Sequence, residues 1–413
     1  MQNEKLIEKL NAKFAFVRKS SLAKLKKREQ SDNLLVPDKN LHEVNLNIHT
    51  NNSFSPYSAT LAAYMAYKSG IKVACDCDYG TLTGKEEFAY ACDLLEISRF
   101  SGFEVTLRRK NGKECLVAFY GLTPESIEEF MPKLASFREV CITRVKNVCD
   151  KINKKLKKLD FYIDFNKEVL SFVKVKKGTT LTLKHLFMAT ALKLIEKFGR
   201  GRALAEILRT SLCLDIEEQE YNLLCDANNP FYVYDLISAL RHNFSQIDGG
   251  LTPPEFSEYL EIANKHGIAI AYEYTSPNNW LKNQTDTEKT LKDFSKMVDE
   301  LKAEGFNAVC ISALNLNEDI VVAFTELLKK KEMLAIYTVK TEYPRNRFDS
   351  YAPGACREYL ELSAYAILGS VTSMKSVKED GFFSQKSKEK CPDFNMRLAM
   401  FAQIGRSVGK YGK

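Results

Sequence analysis

Residues 44–76 read VNLNIHTNNSFSPYSATLAAYMAYKSGIKVACD, and this stretch sets the fold class. VNLNIH reads as a strand and YSATLAAYMAYKSG as a helix closed by Gly70. IKVACD is then a second strand. Strand, helix and strand in succession imply parallel pairing. IKVAC is apolar on both faces, which suits a strand covered on both sides, as in a barrel.

The same alternation extends outward. Thr83 and Glu86 predict a capping box for the next helix, which places Phe88, Cys92 and Leu95 on one face. SGFEVTL (101–107) is a third strand. ECLVAFYGL (114–122) is a further strand that returns after a turn at Asn111-Gly112. The pattern then stops. Residues 124–245 read as helices: Pro124 to Leu159, LKHLFMATALKLIEKFG and YVYDLISALRHNF. After Gly249-Gly250 the alternation resumes. Thr252-Pro253-Pro254-Glu255 predicts a helix start, followed by the strands IAIAYEY, FNAVCIS and MLAIYTV. AYAILGS (364–370) is read as a last strand and FNMRLAMFAQIG (394–405) as a helix. Upstream, residues 3–30 predict one Lys-rich amphipathic helix with Leu6, Leu10 and Phe14 at intervals of four. The expected division is an N-terminal helix (1–31), a first part of a βα barrel (32–123), a helical insertion (124–245), and a second barrel part with a C-terminal helix (246–413). About seven parallel strands result. Periodicity alone does not separate a closed barrel from an open doubly wound sheet.

Composition narrows the class. With 45% hydrophobic residues in 413, the chain can build a sizeable core. The net charge of +7 permits anionic partners without demanding them. No apolar run approaches the roughly 18–20 residues of a membrane-spanning helix, and MQNEKLIEKLNAKFAF lacks a signal-type apolar core. The 11 cysteines are scattered and odd in number, so they are read as reduced thiols in a cytoplasmic protein. Cys75 and Cys77 share one strand face and are read as core thiols. Gly199-Arg200-Gly201-Arg202 is read as a helix–helix turn, since it lacks the preceding strand and spacing of a phosphate loop.

The run from Asn45 to Ser55 resembles the first motif of the PHP (polymerase and histidinol phosphatase) family, which ends its first strand with two histidines one residue apart. Cys77-Asp78-Tyr79-Gly80 resembles the second motif, an Asp-His pair. Gly102-Phe103-Glu104-Val105 sits where the family has a metal-bridging glutamate. These matches cover residues 43–107, with a looser fit after 250. The resemblance implies an α/β fold, a distorted seven-stranded (β/α) TIM-like barrel with a helical insertion. It also implies phosphoester hydrolysis with two or three metal ions, which lower the pKa of a bound water and neutralise phosphoryl charge.

This chain departs from that pattern at most ligand positions. Asn47 stands for the first histidine, Tyr79 for the histidine of the second motif and Ser55 for a loop histidine. Glu273-Tyr274 stands where a His-Pro pair is usual, and Leu368-Gly369-Ser370-Val371 where Asp-x-His is usual. Of five histidines, His42 and His266 fall on the barrel's bottom face, and His185 and His242 in the insertion. Only His49 sits where a barrel site needs it. The candidate ligands are therefore His49, Asp78 and Glu104, with Glu273 as a further carboxylate. They would hold no metal or a single Zn, Mn or Fe ion; the alternative is a hydrogen-bonded polar cluster. Lys340 and Arg345 are candidates for an anion at the barrel mouth, with surface charge as the plainer reading. Trp280 lies in a polar loop that could cover that mouth.

The expectation is a PHP-like barrel with impaired catalysis that binds a small anionic or phosphorylated ligand or a partner. The alternative is a metal-dependent phosphoesterase acting on a phosphomonoester or nucleotide through a reduced site. Nucleic-acid association through the Lys-rich segments 18–28 and 144–158 is a third reading. No membrane association is expected.

Overall fold

The computed structural model describes residues 2–31, 43–250, 252–274, 287–312, 318–349, 352–377 and 380–411. His42 and Trp280 lie outside the described residues, so the Trp280 loop reading has no structural counterpart here. Seven strands form one sheet in chain order: β1 (Glu43–Ile48), β2 (Ile71–Asp76), β3 (Ser98–Arg108), β4 (Glu114–Tyr120), β5 (Ala269–Tyr274), β6 (Ala308–Ser312) and β7 (Leu334–Thr338). All neighbours are parallel except β4, which runs antiparallel to both β3 and β5. The β3–β4 hairpin turns at Gly112, whose φ of 78° lies in the left-handed region that glycine adopts without strain.

The sheet curls until its first and last strands nearly meet. Side chains complete that seam. Asn45 Nδ2 donates to Val339 O at 3.1 Å and Phe348 O at 2.8 Å, and His49 N donates to Thr341 Oγ1 at 2.9 Å. The result is the distorted seven-stranded barrel that the resemblance implies. Its interior is packed tightly. A Cβ on Gly102 would lie 2.7 Å from Phe119 O, and Tyr120 Oη reaches Cys310 Sγ at 3.4 Å from the next strand but one.

In chain order the helices begin with α1 (Gln2–Lys9), α2 (Ala15–Ser31), α3 (Ala59–Lys68) and α4 (Lys85–Leu94). The single N-terminal helix expected over 3–30 is in fact α1 and α2. The break falls at Asn11, which donates to Pro56 O at 2.8 Å and accepts from Ser58 N at 2.7 Å, docking the turn on the start of α3. Leu22 and Leu25 are buried, Arg18 pairs with Glu87, and Lys19 and Lys26 lie over Tyr90 and Tyr67. The expected Thr83/Glu86 box does not form. Gly84 occupies the cap of α4, and the Thr83 hydroxyl donates instead to Lys177 O at 2.9 Å.

The region 124–245 holds α5 (Pro124–Leu156), α6 (Leu183–Phe198), α7 (Arg202–Thr210), α8 (Glu218–Cys225) and α9 (Tyr232–Phe244). Gly199 and Gly201, both with positive φ, make the turn between α6 and α7. The 33-residue α5 is about 50 Å long, enough to span two cores. Phe130, Leu134 and Phe137 pack into the barrel core. Val148, Ile152 and Leu156 pack with Leu186, Phe187 and Leu240 into a second core, separate from that of the barrel.

The remaining helices are α10 (Phe256–Lys265), α11 (Thr287–Glu304), α12 (Glu318–Lys330), α13 (Gly354–Thr372), α14 (Gln385–Lys390) and α15 (Phe394–Tyr411). The helix start expected at Thr252-Pro253-Pro254-Glu255 comes later, at Phe256. Arg108 N donates to Pro254 O at 2.9 Å, so the prolines extend the rim of the sheet. AYAILGS is not a strand but part of α13. That helix lies between the barrel and α15 and is buried around most of its circumference. Such a helix has no polar face, so its apolar run looks like a buried strand. Among the described residues no helix is long and apolar enough to cross a membrane.

Candidate functional site at the barrel mouth

The C-terminal ends of parallel barrel strands carry the site because the loops there are the most adaptable part of the fold. His49 follows β1, Glu104 lies within β3, Glu273 in β5, and Lys340 and Glu342 follow β7. His49, Glu104 and Glu342 are buried and offer ligand atoms within 4.8 Å of one another. His49 Nε2 lies 3.4 Å from Glu104 Oε1 and has no hydrogen-bond partner.

A lysine lies against this group, between Glu104 and Glu273. Lys340 Nζ donates to Glu104 Oε1 at 3.1 Å and Oε2 at 2.9 Å, and lies 2.8 Å from Glu273 Oε1. Lys184, from the first turn of α6, pairs with Glu342. Asn47 Nδ2 reaches Glu104 Oε2 at 3.5 Å.

Burial and these ammonium groups set the protonation states. Burial alone would raise Glu104, but Lys340 and His49 outweigh it and hold the carboxyl below its ordinary value. Glu342 behaves alike: burial is overcome by Lys184, His49 and Lys340, leaving the carboxyl well below the usual range. Glu273 goes the other way. Burial dominates, Lys340 only partly offsets it, Glu104 adds repulsion, and the carboxyl is pushed up to about 8. One ammonium cannot keep two buried carboxylates ionised. Lys340 itself, though burial opposes its charge, is raised well above an ordinary lysine by Glu104, Glu273 and Glu342.

The other residues singled out from sequence are placed differently. Asp78 accepts from Thr50 N at 2.6 Å, from the Thr50 hydroxyl, and from Ser53 Oγ at 2.7 Å. It pins the loop after β1. Tyr79 Oη bonds Thr106 Oγ1 at 2.9 Å, and Ser55 Oγ donates to Thr341 O at 2.7 Å. Arg345 does not join Lys340. Its guanidinium grips Asp235 of α9 at 3.0 and 2.8 Å and stacks on Phe231. Cys75 and Cys77 are buried, and burial raises both thiols well above the ordinary value. Sequence reasoning missed Glu342 and Lys184. Glu342 follows a strand end and could have been found by position; Lys184 lies in α6, away from the strands, and carried no such signal.

Two solved structures are similar in fold. A sulfate-bound, metal-free amidohydrolase structure from Chromobacterium violaceum aligns with a TM-score of 0.51 at 12% identity, covering 78% of this chain and 96% of that one. A protein named as a metal-dependent phosphoesterase from Bifidobacterium adolescentis aligns with a TM-score of 0.49 at 14% identity, covering 77% of this chain and 96% of that one. No family model and no curated protein sequence matches the chain.

Does the site fit a metal? One imidazole and two carboxylates allow a single divalent ion, and the unpartnered His49 Nε2 is a suitable nitrogen donor. A cluster of two or three ions needs more donors than converge here among the described residues. Both carboxylates of the group are also already held by ammonium ions, which any added cation would have to displace.

Proposed function

We propose that this chain is a PHP-like barrel impaired in phosphoester hydrolysis, which binds a small anionic ligand at its mouth. The observation that carries this reading is the Lys340 ammonium within 2.8–3.1 Å of three oxygens of Glu104 and Glu273. A tethered monovalent cation neutralises Glu104 and occupies the space between it and Glu273, the carboxyl groups that resemble metal ligands. It cannot bind water as a Lewis acid or lower that water's pKa, so the hydrolytic nucleophile is not generated. The positions of Asn47 and Tyr79, both engaged with protein partners, support the same reading.

The test is metal analysis of purified protein, followed by p-nitrophenyl phosphate assays with added Mn²⁺. The expected result is substoichiometric metal and no turnover that depends on His49. Stoichiometric metal together with turnover abolished in His49→Ala would overturn it. A second reading is favoured by the group of His49, Glu104 and Glu342: a phosphoesterase using one ion held there. It requires Lys340 and Lys184 to release their carboxylates on metal binding.

A further inference from the structure

The stretch KFAFVRKSSLAKLKKR, from Lys13 to Arg28, holds seven basic residues and no acid, a charge equal to the formal net +7 of the whole chain. Folding sorts it on α2. Leu22 and Leu25 turn inward and Arg18 pairs with Glu87, while Phe16, Ser20, Ala23, Lys24 and Lys27 are exposed. At about 100° per residue those five fall within one arc of about 100°, so they form a single stripe. The acids that face α2 are engaged elsewhere: Glu87 also accepts from the Thr60 hydroxyl at 2.6 Å, and Glu29 accepts from Tyr64 Oη at 3.0 Å.

One end of the stripe is aromatic. Phe14 and Phe16, at the start of α2, are 58% and 71% exposed. Their rings stack on each other with centroids 5.8 Å apart, and the Lys13 ammonium lies 6.0 Å from the Phe14 ring. Two adjacent phenylalanines left in water are costly unless another surface covers them. Asn11, just before them, is tied to Pro56 and Ser58 in the loop between β1 and α3. The aromatic pair therefore stands at the mouth end of the barrel, and the lysines follow along its flank.

We propose that the Phe14–Phe16 pair and the lysine stripe of α2 attach the protein to an anionic lipid surface. The phenylalanines enter the boundary between headgroups and acyl chains. Lys13, Lys24 and Lys27 meet the acidic headgroups, with their hydrocarbon stems lying along the apolar layer. Such attachment is peripheral and needs no spanning helix. The same residues suit nucleic acid less well. A base stacks on an open aromatic face, whereas each of these rings already covers a face of the other. Phenylalanine also has no polar tip to meet a base edge.

Sedimentation of the full chain with lipid vesicles tests it. Vesicles of phosphatidylcholine with phosphatidylserine are expected to carry the protein down, and vesicles of phosphatidylcholine alone are not. Added salt should weaken the binding. A variant with both Phe14→Ser and Phe16→Ser should bind about tenfold more weakly. One with both Lys24→Gln and Lys27→Gln should lose about thirtyfold, since each basic group near an acidic surface contributes about fivefold. All four side chains are exposed, so the thermal midpoints should not move. No binding to the phosphatidylserine vesicles, or binding unchanged in the phenylalanine variant, would overturn the proposal. A thymidine homopolymer that binds where vesicles do not would overturn it in favour of nucleic acid. A dimer that gel filtration shows to be dissolved by the phenylalanine variant, again without vesicle binding, would overturn it in favour of a second copy of this chain. None of these outcomes bears on hydrolysis at the barrel mouth.

Discussion

Lys340 Nζ lies 3.1 and 2.9 Å from the two carboxylate oxygens of Glu104, so one ammonium spans the whole acid group. The Glu104 side chain is 2% exposed, and in so dry a place each partner depends on the other.

Replacing Lys340 by Met should therefore destabilise the fold by about 3 kcal/mol or more, because it strands buried carboxylates. Urea denaturation measures this. Adding Glu104→Gln to Lys340→Met should restore part of the loss, and Mn²⁺ should raise the thermal midpoint of Lys340→Met more than that of the wild type. Equal, additive losses and no response to metal would show that the pair does not act as a unit.

Glu273 predicts a pH dependence. Its carboxyl rises from 4.5 to about 8 on folding, chiefly through burial. An acid whose folded pKa exceeds its unfolded value keeps its proton longer when folded, so its contribution to stability falls as pH rises between the two values. Glu104 and Glu342 have lowered values, so they contribute above the unfolded pKa and lose that contribution as acid protonates them. Unfolding free energies at pH 5 and pH 8 should show Glu273→Gln gaining on the wild type at the higher pH. A difference independent of pH would contradict the burial argument.

The α13–α15 contact depends on two glycines. A Cβ on Gly369 would lie 1.9 Å from Phe401 O, and one on Gly405 would lie 2.1 Å from Tyr365 O. Helix propensity favours alanine over glycine by about 1 kcal/mol. The clash is with backbone, which cannot rotate away, so overpacking should prevail. Gly369→Ala and Gly405→Ala should each lower stability by about 2–3 kcal/mol in denaturant titrations; a gain would mean the helices separate freely.

Arg345 ties the loop after β7 to α9 through Asp235. Arg345→Lys loses the two-pronged contact. The pair is partly exposed, so stability should change by less than about 1 kcal/mol. Hydrogen exchange should nonetheless quicken across residues 340–349, and unchanged exchange would show that the loop is held by other contacts.

Much of this fold was legible from local pattern. Strand–helix alternation located β1, β2 and β5–β7, and the turn at Asn111-Gly112 marked the β3–β4 hairpin. The misreadings have physical reasons. AYAILGS lost its helical signature because α13 is covered on nearly every side, and the N-terminal helix breaks at an asparagine whose partners, Pro56 and Ser58, are remote in sequence.

The sequence by itself marked His49 and Glu273 at strand ends and Glu104 on a strand, and it carries only five histidines. Only the tertiary structure decided which cations meet those acids. Lys340 is 236 residues from Glu104, and Lys184 is 158 from Glu342. An ammonium on a flexible four-carbon stem leaves no periodic trace along the chain. Its position is set by where burial has placed unpaired carboxylates, and that exists only once the barrel and the helices of 124–245 have folded together.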